Sequence, residues 1–467
     1  MADWLSGRPV LVCGVRLAGE AAARALLAHG ARVQLCDREH TESVTPLEAQ
    51  GAQFLGELDR LPEGVDLVVT SPGFRPDHPL LVSAAHAGVD VLGEVELAWR
   101  LRPADAAPWL AITGTNGKTT TVRMLESILR AAGHRALAVG NVGVSIIDAV
   151  LARQPYDVLA VELSSFQLHW SSTVIPAAGA LLNLAPDHLD WHRSMSAYVS
   201  SKTRVWAGPI AIANLDDPNV AKLLPVDLTS GVAQRREKLD QQGKWVGFTL
   251  GRPVAGQLGV VDGVLVDRVF ADAAPLVPAE QVHPAGPHNV ANALAAAALA
   301  RAHGVPSAAV ADGLRDFVPD PHRNQFVAEH AGIKYVDDSK ATNPHAAAAS
   351  LSAYRPVVWI AGGQLKDAPV DDLVSACADR LQGVVLLGVD RAQIRGALAR
   401  HAPEVPVIEV ESHDDEAMTE VVQAAAGLAR PGSTVLLAPA AASYDMFPGY
   451  AARGEAFAAA VRALGDG

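Results

Sequence analysis

The fold this sequence predicts is an α/β protein of three modules, and three observations predict it. Apolar runs of strand length alternate with amphipathic or alanine-rich helical stretches along the whole chain. Two proline-rich breaks, at 103–108 and 317–321, divide the chain into pieces of domain size. A length of 467 residues also exceeds one ordinary core and suggests about three domains.

The first module opens with a strand at 9–13, the turn Gly14 to Gly19, and an alanine-rich helix ending near Gly30. A second strand at 32–36 runs into Asp37, where an acid in such a unit reads a ribose or a base. Arg16 takes the place of the middle glycine in the dinucleotide fingerprint, and a side chain there obstructs a pyrophosphate. A nucleotide-like ligand other than NAD is therefore expected, with a purely structural module as the alternative. A third strand at 65–70 leads to Ser71-Pro72-Gly73, a turn at the ligand edge of an open sheet.

The central module begins with the buried-looking run Trp109-Leu110-Ala111-Ile112, then Thr113-Gly114-Thr115-Asn116-Gly117-Lys118-Thr119-Thr120. Val122, Leu125, Ile128 and Leu129 follow at helical spacing, and Gly133 stops the helix. A glycine loop between strand and helix gathers backbone N–H groups on a nucleotide's phosphates. The lysine then reaches the terminal phosphates, and the next hydroxyl can hold Mg²⁺. Further strands are expected at 157–162 and 178–184, with a hairpin insert at 245–266 and a closing alanine-rich helix after Gly286-Pro287-His288. The last module has candidate strands at 334–336, 357–361, 384–387, 405–410 and 435–438 separated by helices, another open α/β sheet.

Composition excludes several classes. With 49% hydrophobic residues, 19% charged and a net charge of −13, the chain offers no general surface for nucleic acid or anionic membrane. No apolar run approaches the roughly 18 residues of a membrane span. The start, Met1-Ala2-Asp3-Trp4, lacks the basic and apolar regions of a signal peptide. Cys13, Cys36 and Cys377 give neither metal spacing nor a disulfide framework. A cytoplasmic location is expected.

Other residues carry chemistry. Glu162 ends a strand in the same module as the loop, a place suited to Mg²⁺, although a paired or solvated glutamate reads equally well. His188 and His192 stand at i and i+4, but the glutamate that a zinc-protease helix needs beside the first is absent. A histidine near Mg²⁺ or substrate is favoured over zinc. Lys202, read alone, is a helix-surface lysine.

The common phosphate loop keeps four residues between its first glycine and the Gly-Lys pair, whereas Gly114 and Gly117 enclose only Thr115 and Asn116. This shorter form resembles the loop of the Mur ligases and the folylpolyglutamate synthetases, which join an amino acid to a carboxylate through an acyl phosphate. The loop combines with Asn141-Val142-Gly143, ELSSFQL from Glu162, Pro186-Asp187-His188-Leu189-Asp190, Lys202, GPHNVANALAA from Gly286, His322-Arg323 and Asp337-Asp338-Ser339-Lys340-Ala341-Thr342-Asn343-Pro344. That string, in that order, resembles the Mur ligases of peptidoglycan synthesis, and among them the D-glutamate-adding branch. The diamino-acid-adding branch ends its last motif in Asn-Pro-Arg, and the alanine-adding branch usually has a more glycine-rich first loop.

The resemblance implies a Rossmann-like N-terminal domain over 1–105 for a UDP-linked substrate, a P-loop ATPase domain over 106–318, and a Rossmann-like amino-acid-binding domain over 319–467. It implies ATP and two Mg²⁺ as cofactors, UDP-N-acetylmuramoyl-L-alanine and D-glutamate as substrates, and a monomer. Gly114, Thr115, Asn116, Gly117, Lys118, Thr119 and Thr120 would hold ATP phosphates, and Asn289, Asn292, Arg323 and Asp338 the rest of the nucleotide. Thr119 and Glu162 would bind one Mg²⁺; His188 and Lys202, the latter carbamylated, would serve the other. Val15, Arg16, Asp37, Ser71 and Gly73 would line the uracil-nucleotide pocket, and Asn141 would touch the muramoyl group. Thr342, Lys366, Ser443 and Tyr450 would hold D-glutamate. Two departures stand out: the family often has a small residue where Arg16 stands and a phenyl ring where Tyr450 stands. A folate ligase lacks the N-terminal module. A regulatory ATPase without ligation is opposed by Glu162, His188 and Lys202 occurring together.

Overall fold

The computed structural model describes residues 3–224, 244–366, 368–412 and 417–464. They form two compact units, one of residues 1–278 with 292–316 and one of 279–291 with 317–467.

The first unit holds two sheets. Five parallel strands run in the order Gln53–Phe54, Arg32–Cys36, Pro9–Cys13, Leu67–Thr70, Asp90–Gly93. Pro9–Cys13 lies at the centre with Val10, Leu11, Val12 and Cys13 all buried, as a strand covered on both faces must be. Nine strands form the second sheet, with Trp109–Thr113 between Ala178–Leu181 and Val158–Glu162. Val122, Leu125, Ile128 and Leu129 point their fully buried side chains from the helix Lys118–Ala131 into this core. On that helix's other contact, Gly313 lies so close to Ile128 Cα that a Cβ would overlap it.

Two buried glutamates tie the five-stranded module to the central one. From the helix Glu94–Leu101, Glu94 Oε1 accepts the Ser145 hydroxyl at 2.6 Å. Glu96 accepts the Ser172 and Thr173 N–H groups at 2.8 and 3.0 Å and the Thr173 hydroxyl at 2.6 Å. Each carboxylate therefore has the donors that its burial requires.

One expectation needs correction. Residues 245–266 are not a single hairpin insert. Lys244–Phe248 and Gln257–Val261 continue the parallel sheet beyond Ile210–Asn214, and the antiparallel pairings are those of Val264–Asp267 with Gln257–Val261 and with Ala274–Pro278. Alternation with glycine marks strands without telling their direction, which the partner decides.

The second unit holds six strands in the order Gln325–His330, Ile333–Asp337, Thr434–Leu437, Val357–Gly362, Leu381–Leu387, Val407–Glu409. Only the first pair is antiparallel. The loops after Ile333–Asp337, Thr434–Leu437 and Val357–Gly362 therefore leave the sheet side by side at one edge. Among the described residues no helix is long and apolar enough to cross a membrane.

Candidate active site

The turn between Trp109–Thr113 and Lys118–Ala131 is as short as the sequence indicated. Gly117 caps the helix at φ +83°, and the side-chain oxygen of Asn292 fills the space that a Cβ there would need. Only glycine meets both demands. The first helical turn leaves N–H groups without intrahelical partners, and with the helix dipole these favour an anion. Lys118 Nζ folds back over the loop onto the carbonyls of Gly114 at 3.0 Å and Thr115 at 2.8 Å. Asn183 clamps the turn: its Oδ1 accepts Asn116 N–H at 2.8 Å and its Nδ2 donates to Asn116 O at 3.0 Å. Thr115 Oγ1 lies 2.9 Å from the Tyr198 hydroxyl. Thr119 is half-buried and Thr120 buried.

Glu162 ends the adjacent strand, in register opposite Ile112, which stands two residues before the loop's first glycine. It is buried; Oε1 accepts Asn141 Nδ2 at 3.0 Å, while Oε2 has no hydrogen-bond partner among the described residues. A buried carboxylate oxygen without a donor fits a hard divalent cation. Lys202 comes from the helix Met195–Thr203, is 2% exposed, and donates to Gly114 O at 2.8 Å and Thr113 Oγ1 at 3.3 Å. Its ammonium lies over the Tyr198 ring at 4.8 Å. Burial pulls its pKa well below the usual lysine value, and the charge of Lys118 adds to the effect.

His188 caps the short helix Leu189–His192 in the left-handed region, at φ 52°. Burial lowers its pKa; Asp187 opposes, and Lys118 and Lys202 add to the fall. His192 is buried among Phe166, Trp191 and Tyr198 with Nε2 2.9 Å from Ser165 Oγ. Among the described residues no three His, Cys, Asp or Glu side chains gather as a metal-ligand set. The i, i+4 histidines instead share the ring of Phe166, which lies 4.7 Å from His188 and 5.6 Å from His192 between ring centroids.

The N-terminal residues form a separate cluster. Asp37 Oδ2 accepts Val15 N–H and its Oδ1 accepts Arg38 N–H, both at 2.7 Å. Ser71 Oγ donates to Gly14 O at 2.8 Å. Gly14 needs φ +83°, and a Cβ on it would press on Ser71 Oγ at 2.6 Å. Arg16 is the exposed N-cap of the helix Leu17–Ala28 and makes no cap bond; Gly73 faces open space.

In the second unit, Asn289 Nδ2 lies 2.9 Å from His288 Nε2. Asp338 Oδ1 accepts Asn324 N–H at 3.1 Å. Burial pushes the Asp338 pKa up to about 6, against hydrogen bonds from Ser350 and Asn324 and the charge of Arg323. Thr342, Ser443 and Lys366 follow the three neighbouring strands at the carboxyl edge, with Lys366 exposed at φ 53° and Ser443 buried. The ring of Tyr450, at the start of the helix Tyr450–Ala463, lies under the Lys340 ammonium at 3.7 Å.

Sequence reading missed the clamp of Asn183 and the wall formed by Tyr198. Tyr198 precedes Lys202 by four residues, so a shared helix face was readable; nothing local marked Asn183.

Similarity to known proteins covers the same ground. Three family models match in order: the Mur ligase MurD-like N-terminal domain over residues 8–93, the Mur ligase middle domain over 112–300, and the Mur ligase glutamate ligase domain over 322–441. The chain is 58% identical to the UDP-N-acetylmuramoylalanine–D-glutamate ligase of Thermobifida fusca, over 98% of this chain and 99% of that protein. Identity to the proteins of that name in Streptomyces coelicolor and Mycobacterium bovis is 54% and 48%, covering 100% and 98% of this chain and 100% and 96% of theirs. Among solved structures, the UDP-N-acetylmuramate–alanine ligase of Thermotoga maritima shares the fold, with a TM-score of 0.56 at 19% identity over 98% of this chain and 99% of that one. A pseudomurein peptide ligase from Methanothermus fervidus gives the same score and identity over 92% and 96%. With a phosphate loop, a buried carboxylate beside it, and these matches along its whole length, the chain belongs to the Mur ligase family.

Proposed function

We propose that this chain joins D-glutamate to UDP-N-acetylmuramoyl-L-alanine at the expense of ATP, in cytoplasmic peptidoglycan precursor synthesis, and acts as a monomer. One observation carries the reading. Glu162 keeps an unpartnered buried oxygen beside a loop ending in Lys118, in a chain 58% identical to a ligase of that name. The working parts are 1–105 for the UDP-linked substrate, 106–318 for ATP and 319–467 for the amino acid.

The chemistry follows from charge. The muramoyl-alanine carboxylate attacks the γ-phosphorus of ATP and ADP leaves, giving an acyl phosphate. The amine of D-glutamate then attacks the acyl carbon, phosphate leaves, and the amine loses a proton. Two anions must meet in the first step, and Lys118 swings from its loop carbonyls to the γ-phosphate to screen them. Thr119 and Glu162 would hold one Mg²⁺ and His188 and Lys202 the other, and the bound ions would supply further positive charge there. An ammonium cannot ligate a cation. Addition of carbon dioxide to the Lys202 amine, with loss of a proton, turns it into a carboxylate-like ligand, and its burial with hydrogen bonds only to Gly114 and Thr113 among the described residues suits that change.

Asn289 and Asn292 face the adenine, and Arg323 and Asp338 the phosphate and ribose. Val15, Arg16, Asp37, Ser71 and Gly73 line the uracil pocket, and Asn141 touches the muramoyl group. Thr342, Lys366, Ser443 and Tyr450 hold the two carboxylates of D-glutamate. Because an acyl phosphate hydrolyses, these residues must also exclude water.

Phosphate release with UDP-N-acetylmuramoyl-L-alanine, offered D-Glu, L-Ala, L-Lys and meso-diaminopimelate in turn, tests the reading. D-Glutamate alone should support turnover. Preference for any of the others overturns it.

A further inference from the structure

Arg453 lies in the alanine-rich helix Tyr450–Ala463, where its sequence context reads as a solvated surface arginine. It is instead 1% exposed. Its Nε donates to Ser339 Oγ at 3.0 Å and its Nη2 to Ser339 O at 2.9 Å. Both terminal nitrogens donate to Ala441 O at 3.1 Å, and Nη1 reaches Gly362 O at 3.4 Å. None of these acceptors is a carboxylate. Asp337, the acid nearest the Ser339 turn, is engaged by His322 at 2.6 Å, and Asp445 accepts Val389 N–H at 3.0 Å. Burial pulls the guanidinium pKa down to about 10, against the opposing charges of Asp445 and Asp337, and the group stays charged at neutrality.

The three acceptor residues lie where three different loops leave the sheet. Ser339 and Ala441 follow their strands and precede Thr342 and Ser443, while Gly362 ends its strand and precedes Lys366; the three strands are adjacent and parallel. Backbone bonds join these loops only in pairs, Ala440 N–H to Ala341 O at 2.9 Å and the Gln364–Ala442 bridge at 2.8 and 2.9 Å. Arg453 touches all three, and through Ser339 Oγ, which donates to Tyr450 O at 2.7 Å, it also fixes the start of its own helix. Burying a guanidinium is costly even with two acids nearby, and an apolar side chain of similar volume would serve stability as well. A fold that keeps the cation here gains something other than stability.

We propose that Arg453 is a positioning residue for the amino-acid substrate. Its fork sets the spacing of the loops that present Thr342, Lys366 and Ser443. This rests on those loops being the D-glutamate site. A lysine cannot replace the fork, because one ammonium does not span three loops with planar geometry.

Arg453→Lys and Arg453→Gln test it in the full-length protein, with thermal melts and KM measured for D-glutamate and for UDP-N-acetylmuramoyl-L-alanine. Both variants should melt cooperatively. The KM for D-glutamate should rise about tenfold in the lysine variant and further in the glutamine variant, while the KM for the UDP-linked substrate stays within about twofold. A D-glutamate KM near the wild-type value overturns the proposal, as does an equal rise in both constants or loss of the cooperative melt in both variants. Lys366→Ala separates the two failures. If it also leaves the D-glutamate KM unmoved, the assignment of the site has failed; if it raises that KM while the Arg453 variants do not, only the positioning role has.

Discussion

Two strand-glycine-helix turns in the first unit share a backbone plan and differ in what surrounds them. Gly14, which directly follows the strand Pro9–Cys13, and Gly117, which caps the helix Lys118–Ala131, both sit at φ +83° in the turn after a central parallel strand. Around the first, Asp37 takes the Val15 N–H. A donor that a phosphate would use is thus already held by a carboxylate, whose charge repels a second anion. Around the second, the amines of Lys118 and Lys202 converge on one carbonyl, that of Gly114. Loop shape therefore admits a nucleotide in both places, while side chains delivered by other elements decide which part of it binds. The first suits a neutral base or ribose, the second a polyphosphate.

The largest effect should follow from removing the cation of the second loop. Lys118→Ala is expected to lower kcat about a thousandfold with an unchanged melt, because the lysine supports no core and its charge acts on the transferring phosphoryl group. Phosphate release measures it, and residual turnover above a tenth of wild type would break the contrast.

Asp37→Ala should act on the other turn alone. Loss of charge-assisted bonds worth about 1.5–3 kcal/mol raises the KM for the UDP-linked substrate about tenfold to a hundredfold. Titration calorimetry with ATP should show no change in its affinity. A loss of ATP binding would mean that the two turns do not work separately.

The smallest effect belongs to Arg16→Ala. The side chain is exposed and makes no cap bond, so the KM for the UDP-linked substrate should change less than about threefold, as for other exposed charges. A larger change sharpens the comparison, since it would put a cation on the substrate at the first turn as well.

Much of this was readable in advance. Pro9–Cys13 and Arg32–Cys36 form at the residues where apolar runs bounded by turn signals place them. Val122, Leu125, Ile128 and Leu129 face inward as their spacing requires. The short strands Gln53–Phe54 and Asp90–Gly93 were not anticipated, because edge strands of so few residues carry little pattern of their own and form by pairing with a neighbour. The stretch at 245–266 was legible as strand but not as to direction.

By itself the sequence determined the alternation of strand and helix, the glycine turns and the chemical kinds available at them, because these depend on near neighbours in the chain. Tertiary structure alone decided which of those groups meet. Lys202 lies far along the chain from Gly114 yet donates to it. Arg453, in a helix of alanines, is buried only because three loops close over it. A charge's burial and its partners depend on packing between distant segments, and no local pattern encodes them.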